Sequence, residues 1–175
     1  MATVVYSAAM SLDGYIAGPG GDMSWLTEFL EPDPAAVELM ERTRALLVGR
    51  RTFDGDDPNR GTEAEGPFGG AWSGPQIVLT HRAGAAASGV TFADSVDEAL
   101  RRAREAAGAG VVSVLGADVA RQCLDAGALD ELLVFVVPVL LGEGVRLLDR
   151  PGRGRARLEP LPVVDGSRGL RFRVG

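Results

Sequence analysis

Ala45-Leu46-Leu47-Val48-Gly49-Arg50-Arg51-Thr52-Phe53 is the stretch on which the reading of this chain turns. Its first residues form a short apolar run, the pattern of a buried strand. Gly49 breaks the run and lets the backbone turn closely. Two guanidiniums and a hydroxyl follow at the expected first turn of a helix. Free N–H groups at a helix start, with bidentate arginines beside them, suit a phosphate. The same residues also fit an ordinary basic strand-to-helix turn, and taken alone they leave both readings open.

Further strands and helices extend outward from this point. Thr3 to Met10, Gln76 to Thr80 and Val111 to Leu115 read as strands, and Leu132 to Leu141 as a long one interrupted by Pro138. A short helical turn over 23–30 carries Trp25. Asp33-Pro34 begins a helix whose buried side is read as Val37, Met40 and Leu47. Ser95-x-x-Glu98 is a capping box ahead of Val96, Ala99, Leu100, Ala103 and Ala107, which share one helix face. Gly116-Ala117-Asp118 opens a helix to about Ala126, closed by Gly127.

Between these elements, Ser11 to Ala17 turns at Asp13-Gly14, and Gly18 to Gly21 is a flexible loop. Residues 54–74 form the longest irregular stretch, the kind of loop that serves function. Residues 144–174 read as returning antiparallel strands. The alternation predicts one α/β domain over 1–175, with a mostly parallel sheet and an antiparallel end.

Composition removes much of common enzyme chemistry. The net charge is −6 and all 18 basic residues are arginine. Without lysine there is no P-loop lysine, Schiff base or lysine base. One histidine and one cysteine leave no expectation of a zinc site. Cys123 excludes an internal disulfide and reads as an inert buried thiol, suited to a reducing cytoplasm. No apolar run approaches a bilayer span and Met1 to Val5 lacks signal-peptide features, so neither membrane nor leader is expected. The acidic balance argues against a nucleic-acid partner. Locally clustered arginines on that background suggest a small anionic ligand.

Three of the expected strands end in polar or glycine-rich turns: Gly49-Arg50-Arg51-Thr52, Thr80-His81-Arg82 and Gly116-Ala117-Asp118. Ligands of open parallel sheets gather at the carboxyl ends of the strands. A ligand with separated phosphates, such as NADPH, needs such a set, and Thr80, His81 and Arg82 suit its ribose 2′-phosphate. The usual Gly-x-Gly-x-x-Gly fingerprint is missing, so a dinucleotide would bind through a different topology.

Several segments together resemble the dihydrofolate-reductase-like family, which includes the reductase domain of bacterial riboflavin biosynthesis. They are Ser11-Leu12-Asp13-Gly14-Tyr15-Ile16-Ala17, Trp25, Gly49-Arg50-Arg51-Thr52-Phe53, Val114-Leu115-Gly116 and Pro138-Val139-Leu140-Leu141-Gly142-Glu143-Gly144. The likeness runs from Val4 to about Leu148. It implies a twisted central sheet with flanking helices and an NADPH-dependent reductase activity. It places Ala9 and Ile16 by the nicotinamide and Trp25 in a loop over it. It assigns phosphates to Arg50, Arg51 and Thr52, the 2′-phosphate end to Thr80, His81 and Arg82, and the pyrophosphate to Gly116, Ala117, Asp118 and Val119. Gly49-x-x-Thr52-x-x-x-Asp56-Asp57-Pro58 also resembles the riboflavin-type motif, which brings Thr52 and Asp56 to the cofactor.

The departures concern the substrate. Ala117 stands where the family often has a second glycine. Met40 and Glu63 fall where substrate-phosphate arginines are expected, with Arg42 and Arg60 as neighbouring alternatives. No catalytic residue is assigned. Asp22, Glu28 and Asp56 are candidate acids, Glu31 is a further one near the family's position, and Asp13 reads as a turn former. The expected activity is hydride transfer from NADPH to a small planar heterocycle such as a pterin, pyrimidine or flavin-like ring. The alternatives are a catalytically silent nucleotide-binding module and hydrolysis through His81. The ends of the Leu132 to Leu141 run are candidates for a dimer interface, in keeping with the resemblance.

Overall fold

A computed structural model describes residues 1–55, 59, 61–63, 65–82, 84 and 88–175. Six of its strands run parallel: β1 (Thr3–Ser11), β3 (Thr43–Gly49), β4 (Gln76–Leu79), β5 (Val90–Ala93), β6 (Val111–Leu115) and β7 (Glu131–Val137). Two more, β9 (Leu158–Leu161) and β10 (Gly169–Val174), return antiparallel beside β7. The sheet order is β5-β4-β3-β6-β1-β7-β10-β9, and β2 (Tyr15–Ala17) pairs separately with β8 (Val145–Arg146). This is the mostly parallel sheet with an antiparallel end that the alternation predicts.

The central strands are mostly apolar because both of their faces are covered, with Ser11, Thr43 and Ser113 as buried polar exceptions. Leu46, Leu47, Val112 and Val114 are fully buried. Helices α3 (Val96–Ala107) and α4 (Ala117–Asp125) cover one face, over β3, β4 and β6. Ala99, Leu100, Ala103 and Ala107 of α3 enter the main core, as their spacing predicts. On the other face α1 (Pro34–Arg42) contributes Ala35 and Leu39 to a smaller cluster with Val5, Val111 and Leu133. The expected face of α1 is therefore corrected. Val37 is 40% exposed and Leu47 already belongs to β3, because the helix ends at Arg42.

Two helix starts carry the caps their sequences announce. The Asp33 carboxylate accepts from the Ala35 N–H at 2.9 Å, and the Ser95 hydroxyl from the Glu98 N–H at 3.4 Å. The second half of the capping box is not made. The Glu98 carboxylate turns to Arg101 and Arg102 instead, and those hydrogen bonds hold it down to about 2. The segment before Pro138 behaves as expected, but β7 stops at Val137 and Leu140 is 71% exposed rather than core. No helix of the described residues is long and apolar enough to cross a membrane.

Candidate functional site

The parallel strands put all six carboxyl ends on one edge of the sheet. Val48 of β3 pairs with Leu115 of β6, and Gly49 with Leu79 of β4. The turns after β3, β4 and β6 are therefore neighbours, as the sequence predicts. They also interlock. A Cβ on Gly49 would lie 3.0 Å from Val119 Cγ2, and one on Gly116 only 2.6 Å from Thr52 Oγ1. Gly116 further adopts φ +103°, a backbone that favours glycine. Gly49, Thr52, Gly116 and Val119 thus form one cluster from elements far apart in sequence.

The helices leaving this cluster start differently from α1 and α3. Both α2 (Arg50–Asp54) and α4 have glycine at the N-cap, which offers no side-chain cap to their first N–H groups. The arginines around them divide. Arg50 Nε donates to the Asp54 carboxylate, and its guanidinium lies 5.9 Å from the centre of the Phe92 ring. Arg50, which the resemblance assigns to a phosphate, is thus also engaged by its own helix and by β5. Arg51 is exposed, and among the described residues it has no carboxylate at ion-pair distance. Burial raises the Asp118 carboxyl, but hydrogen bonds from Arg121 and Gln122, with the charges of Arg121 and Arg51, bring it below its ordinary value.

In the turn after β4, Thr80 Oγ1 accepts from the Arg82 N–H at 3.1 Å. The His81 and Arg82 side chains are exposed, and neither has a hydrogen-bond partner among the described residues. Among the described residues His81 therefore contacts neither the serine nor the carboxylate that a hydrolytic triad requires. Asp56, with Asp57, Pro58 and Arg60, lies outside the described residues.

β1 continues beyond its last pairing with β6 at Tyr6 and Val114, and half-buried Ala9 lies on this extension, paired with Phe135 of β7. Buried Ser11 accepts from the Tyr15 N–H at 2.9 Å and donates to Asp13 at 2.6 Å. Asp13 also accepts from the N–H groups of Leu141 at 3.1 Å and Gly142 at 2.7 Å. The Ser11 hydroxyl first, and those amides after it, hold the Asp13 carboxyl at about 2. Asp13 closes its turn, as read from Asp-Gly. It also pins that turn to a loop 128 residues away, which no local signal announces.

Ile16 is half-buried in β2, which meets the chain again at Gly144. A Cβ there would lie 2.1 Å from the Ala17 carbonyl oxygen. The Arg146 guanidinium sits 4.8 Å over the Tyr15 ring. Between this pair and α4 opens a cleft of about 780 Å³, lined by Tyr15, Ala117, Asp118, Arg121 and Arg146 among others. Trp25 is half-buried in a 3₁₀ turn over Ser24–Phe29, and its indole N–H is buried without an acceptor among the described residues.

The remaining candidates are engaged elsewhere or lie on the surface. Asp22 accepts from the Ser24 N–H at 2.9 Å, and Glu28 and Glu31 are exposed. Arg42 pairs with Glu38 at 2.9 Å. The Cys123 thiol is fully buried and burial pushes it up to about 12, which keeps it protonated and unreactive.

The donor set fits a dinucleotide phosphate chain. Two helix starts with glycine N-caps, the Thr52 and Thr80 hydroxyls, and Arg51 and Arg82, which form no ion pair among the described residues, share one edge, and the loop after β2 carries the Trp25 indole donor, without an acceptor among the described residues. Arg51, Arg82, Thr52, Thr80 and the backbone at Gly116 and Ala117 are the groups that would hold such a cofactor.

Over 154 residues the chain is 25% identical to the uncharacterized protein YyaP of Bacillus subtilis, covering 81% of this chain and 77% of that one. Over 163 residues it is 28% identical to the riboflavin biosynthesis protein RibD of Corynebacterium ammoniagenes, covering 85% of this chain and 46% of that one. The crystal structure of a putative riboflavin biosynthesis protein from Shewanella sp. PV-4 superposes with a TM-score of 0.72 at 25% identity, covering 100% of this chain and 99% of that one. Dihydrofolate reductase from Enterococcus faecalis, solved with NADP(H), shares the fold with a TM-score of 0.55 at 20% identity, over 98% of this chain and 94% of that one. The profile of the RibD C-terminal domain matches residues 2–170, so the chain belongs to the RibD C-terminal domain family and has a dihydrofolate-reductase-like, reductase-type fold.

Proposed function

We propose that the protein is an NADPH-dependent reductase that delivers hydride to a small planar heterocycle. The observation that carries this reading is the side-by-side placement of the Gly49–Thr52, Thr80–Arg82 and Gly116–Asp118 turns at one sheet edge, with the Arg51 and Arg82 guanidiniums in no ion pair among the described residues. Bound NADPH would supply the hydride. Hydride transfer then asks the protein for orientation and a dry pocket. Arg51 and Thr52 hold one phosphate, Arg82 and Thr80 the 2′-phosphate, and the N–H groups after Gly116 the pyrophosphate. Ala9 and Ile16 form the apolar floor, and Trp25 covers it. Its unmet N–H supports that placement, since a bound ring with an acceptor satisfies it.

Asp13 does not serve as the acid. A carboxyl held at about 2 is ionised at neutral pH, and its acceptor sites are already engaged by Ser11, Leu141 and Gly142. Its part is to fix the turn that carries Tyr15 and Ile16.

The activity is tested by following loss of NADPH absorbance with oxidised pterins, pyrimidines and flavins as acceptors. Turnover with one ring class, abolished when NADPH is omitted, is the expected result. NADPH binding without turnover on any acceptor would favour the silent nucleotide-binding module. Activity without nicotinamide that His81→Ala abolishes would favour hydrolysis.

A further inference from the structure

We infer that Arg121 is a positioning residue of the phosphate site: it draws the Asp118 carboxylate back along α4 and so keeps Arg51 available to the cofactor. The inference rests on the NADPH reading above. Asp118 stands in the first turn of α4, where the positive end of the helix dipole attracts an anion. The N–H groups after Gly116 would offer that same place to a pyrophosphate. A carboxylate turned toward it would oppose the second anion, because like charges in one site repel. The Asp118 side chain is 60% exposed, so solvent leaves it room to swing there.

It is turned the other way. Arg121, three residues on, donates to Asp118 at 2.7 Å, and Gln122, four on, at 2.9 Å. Both partners lie C-terminal to Asp118, so they pull its carboxylate along the helix and away from the helix start. Of the two, the bond from Arg121 is the charge-assisted and stronger one.

Arg51 is the competing cation. A Cβ on Gly116 would lie 2.6 Å from Thr52 Oγ1, which sets the turn that carries Arg51 against the start of α4. The Arg51 charge already acts on the Asp118 carboxyl. Arg51 is exposed and forms no ion pair among the described residues, so a released Asp118 would find it open to pairing. That pairing would neutralise the cation on which a cofactor phosphate depends.

Arg121 is itself fixed. A second nitrogen of its guanidinium donates to Asp125 at 3.2 Å, so one side chain spans two carboxylates of the same helix. Asp125 is only 12% exposed, and Arg150 at 3.3 Å and Arg153 at 3.7 Å share it. Removing Arg121 therefore leaves Asp125 paired and lifts the restraint on Asp118.

Calorimetric titration of wild type and variants with NADPH tests this, with thermal melting to check that each variant folds. Arg121→Ala should weaken NADPH about 10-fold, as loss of the Arg51 charge would. Asp118→Asn should bind at least as tightly as wild type. The double variant Asp118→Asn/Arg121→Ala should return to within about 2-fold of wild type, a rescue that loss of a direct contact or of helix stability would not give. An Arg121→Ala defect that persists in the double variant would overturn the inference, as would Arg121→Ala binding like wild type or Asp118→Asn binding more weakly. Failure of wild type itself to bind NADPH would instead overturn the cofactor reading, and this inference with it.

Discussion

The interiors of β3 and β6 and the turns that begin one residue later are made of different chemistry. Leu46, Leu47, Val112 and Val114 are fully buried and apolar. Arg51 and Thr52, and Asp118 on the other strand's turn, are exposed and polar, and the glycines between the two zones let backbones touch. The interiors stabilise the sheet and are closed to any ligand, even the fully buried Ser113 hydroxyl of β6, which has no hydrogen-bond partner among the described residues. The turns are exposed, and their arginines Arg51 and Arg82 form no ion pair among the described residues, as the proposed ligand site requires. The same strands therefore carry stability in one half and recognition in the other, and substitutions should separate the two.

Leu47→Ala should give the largest effect on stability, about 2–5 kcal/mol, because a fully buried side chain leaves a cavity. Chemical unfolding measures the loss, and the folded fraction should bind NADPH as wild type does. Gly116→Ala breaks the separation, since the residue belongs to both zones. Its φ of +103° and the 2.6 Å approach to Thr52 predict about 1–3 kcal/mol of destabilisation together with weakened NADPH binding. Arg51→Ala and Arg82→Ala sharpen it in the other direction. Their melting should stay within about 0.5 kcal/mol of wild type. NADPH affinity should fall roughly 10-fold or more for each, the worth of a charge-assisted hydrogen bond.

The smallest effect concerns acid. The folded carboxyl of Asp13 is held at about 2, below an ordinary aspartate, so its contribution is complete above about pH 4 and is lost as pH falls toward 2. Asp13→Asn should therefore melt below wild type at pH 7, with the gap narrowing at pH 3. An equal gap at both values would show that the tether does not depend on ionisation.

What was legible in the sequence follows the same division. Runs such as Val111 to Leu115 and the alanine face of α3 announce themselves because burial imposes residue type at every position. Strand β5 has no legible signature, because within Val90–Ala93 only Ala93 is buried and the remaining pattern is weak. The long run from Leu132 was read too far, since apolar character continues past the point where Pro138 ends the ladder. Of the site, the three turns were legible from glycine, arginine and threonine at strand ends. The engagement of Arg50 by Asp54 and Phe92 was not, nor was the Asp13 bond to Gly142. Such partners are chosen by tertiary geometry among many equivalent charges and amides.

The central claim is that these turns hold the phosphates of NADPH, with Arg82 at the 2′-phosphate. Titration of wild type and Arg82→Ala with NADPH and with NADH, by calorimetry or nicotinamide fluorescence, tests it most directly. The account predicts that wild type prefers NADPH clearly and that Arg82→Ala loses NADPH affinity while NADH binding stays unchanged. Failure of wild type to bind either nucleotide at millimolar concentration, or equal losses for both in the variant, would contradict it.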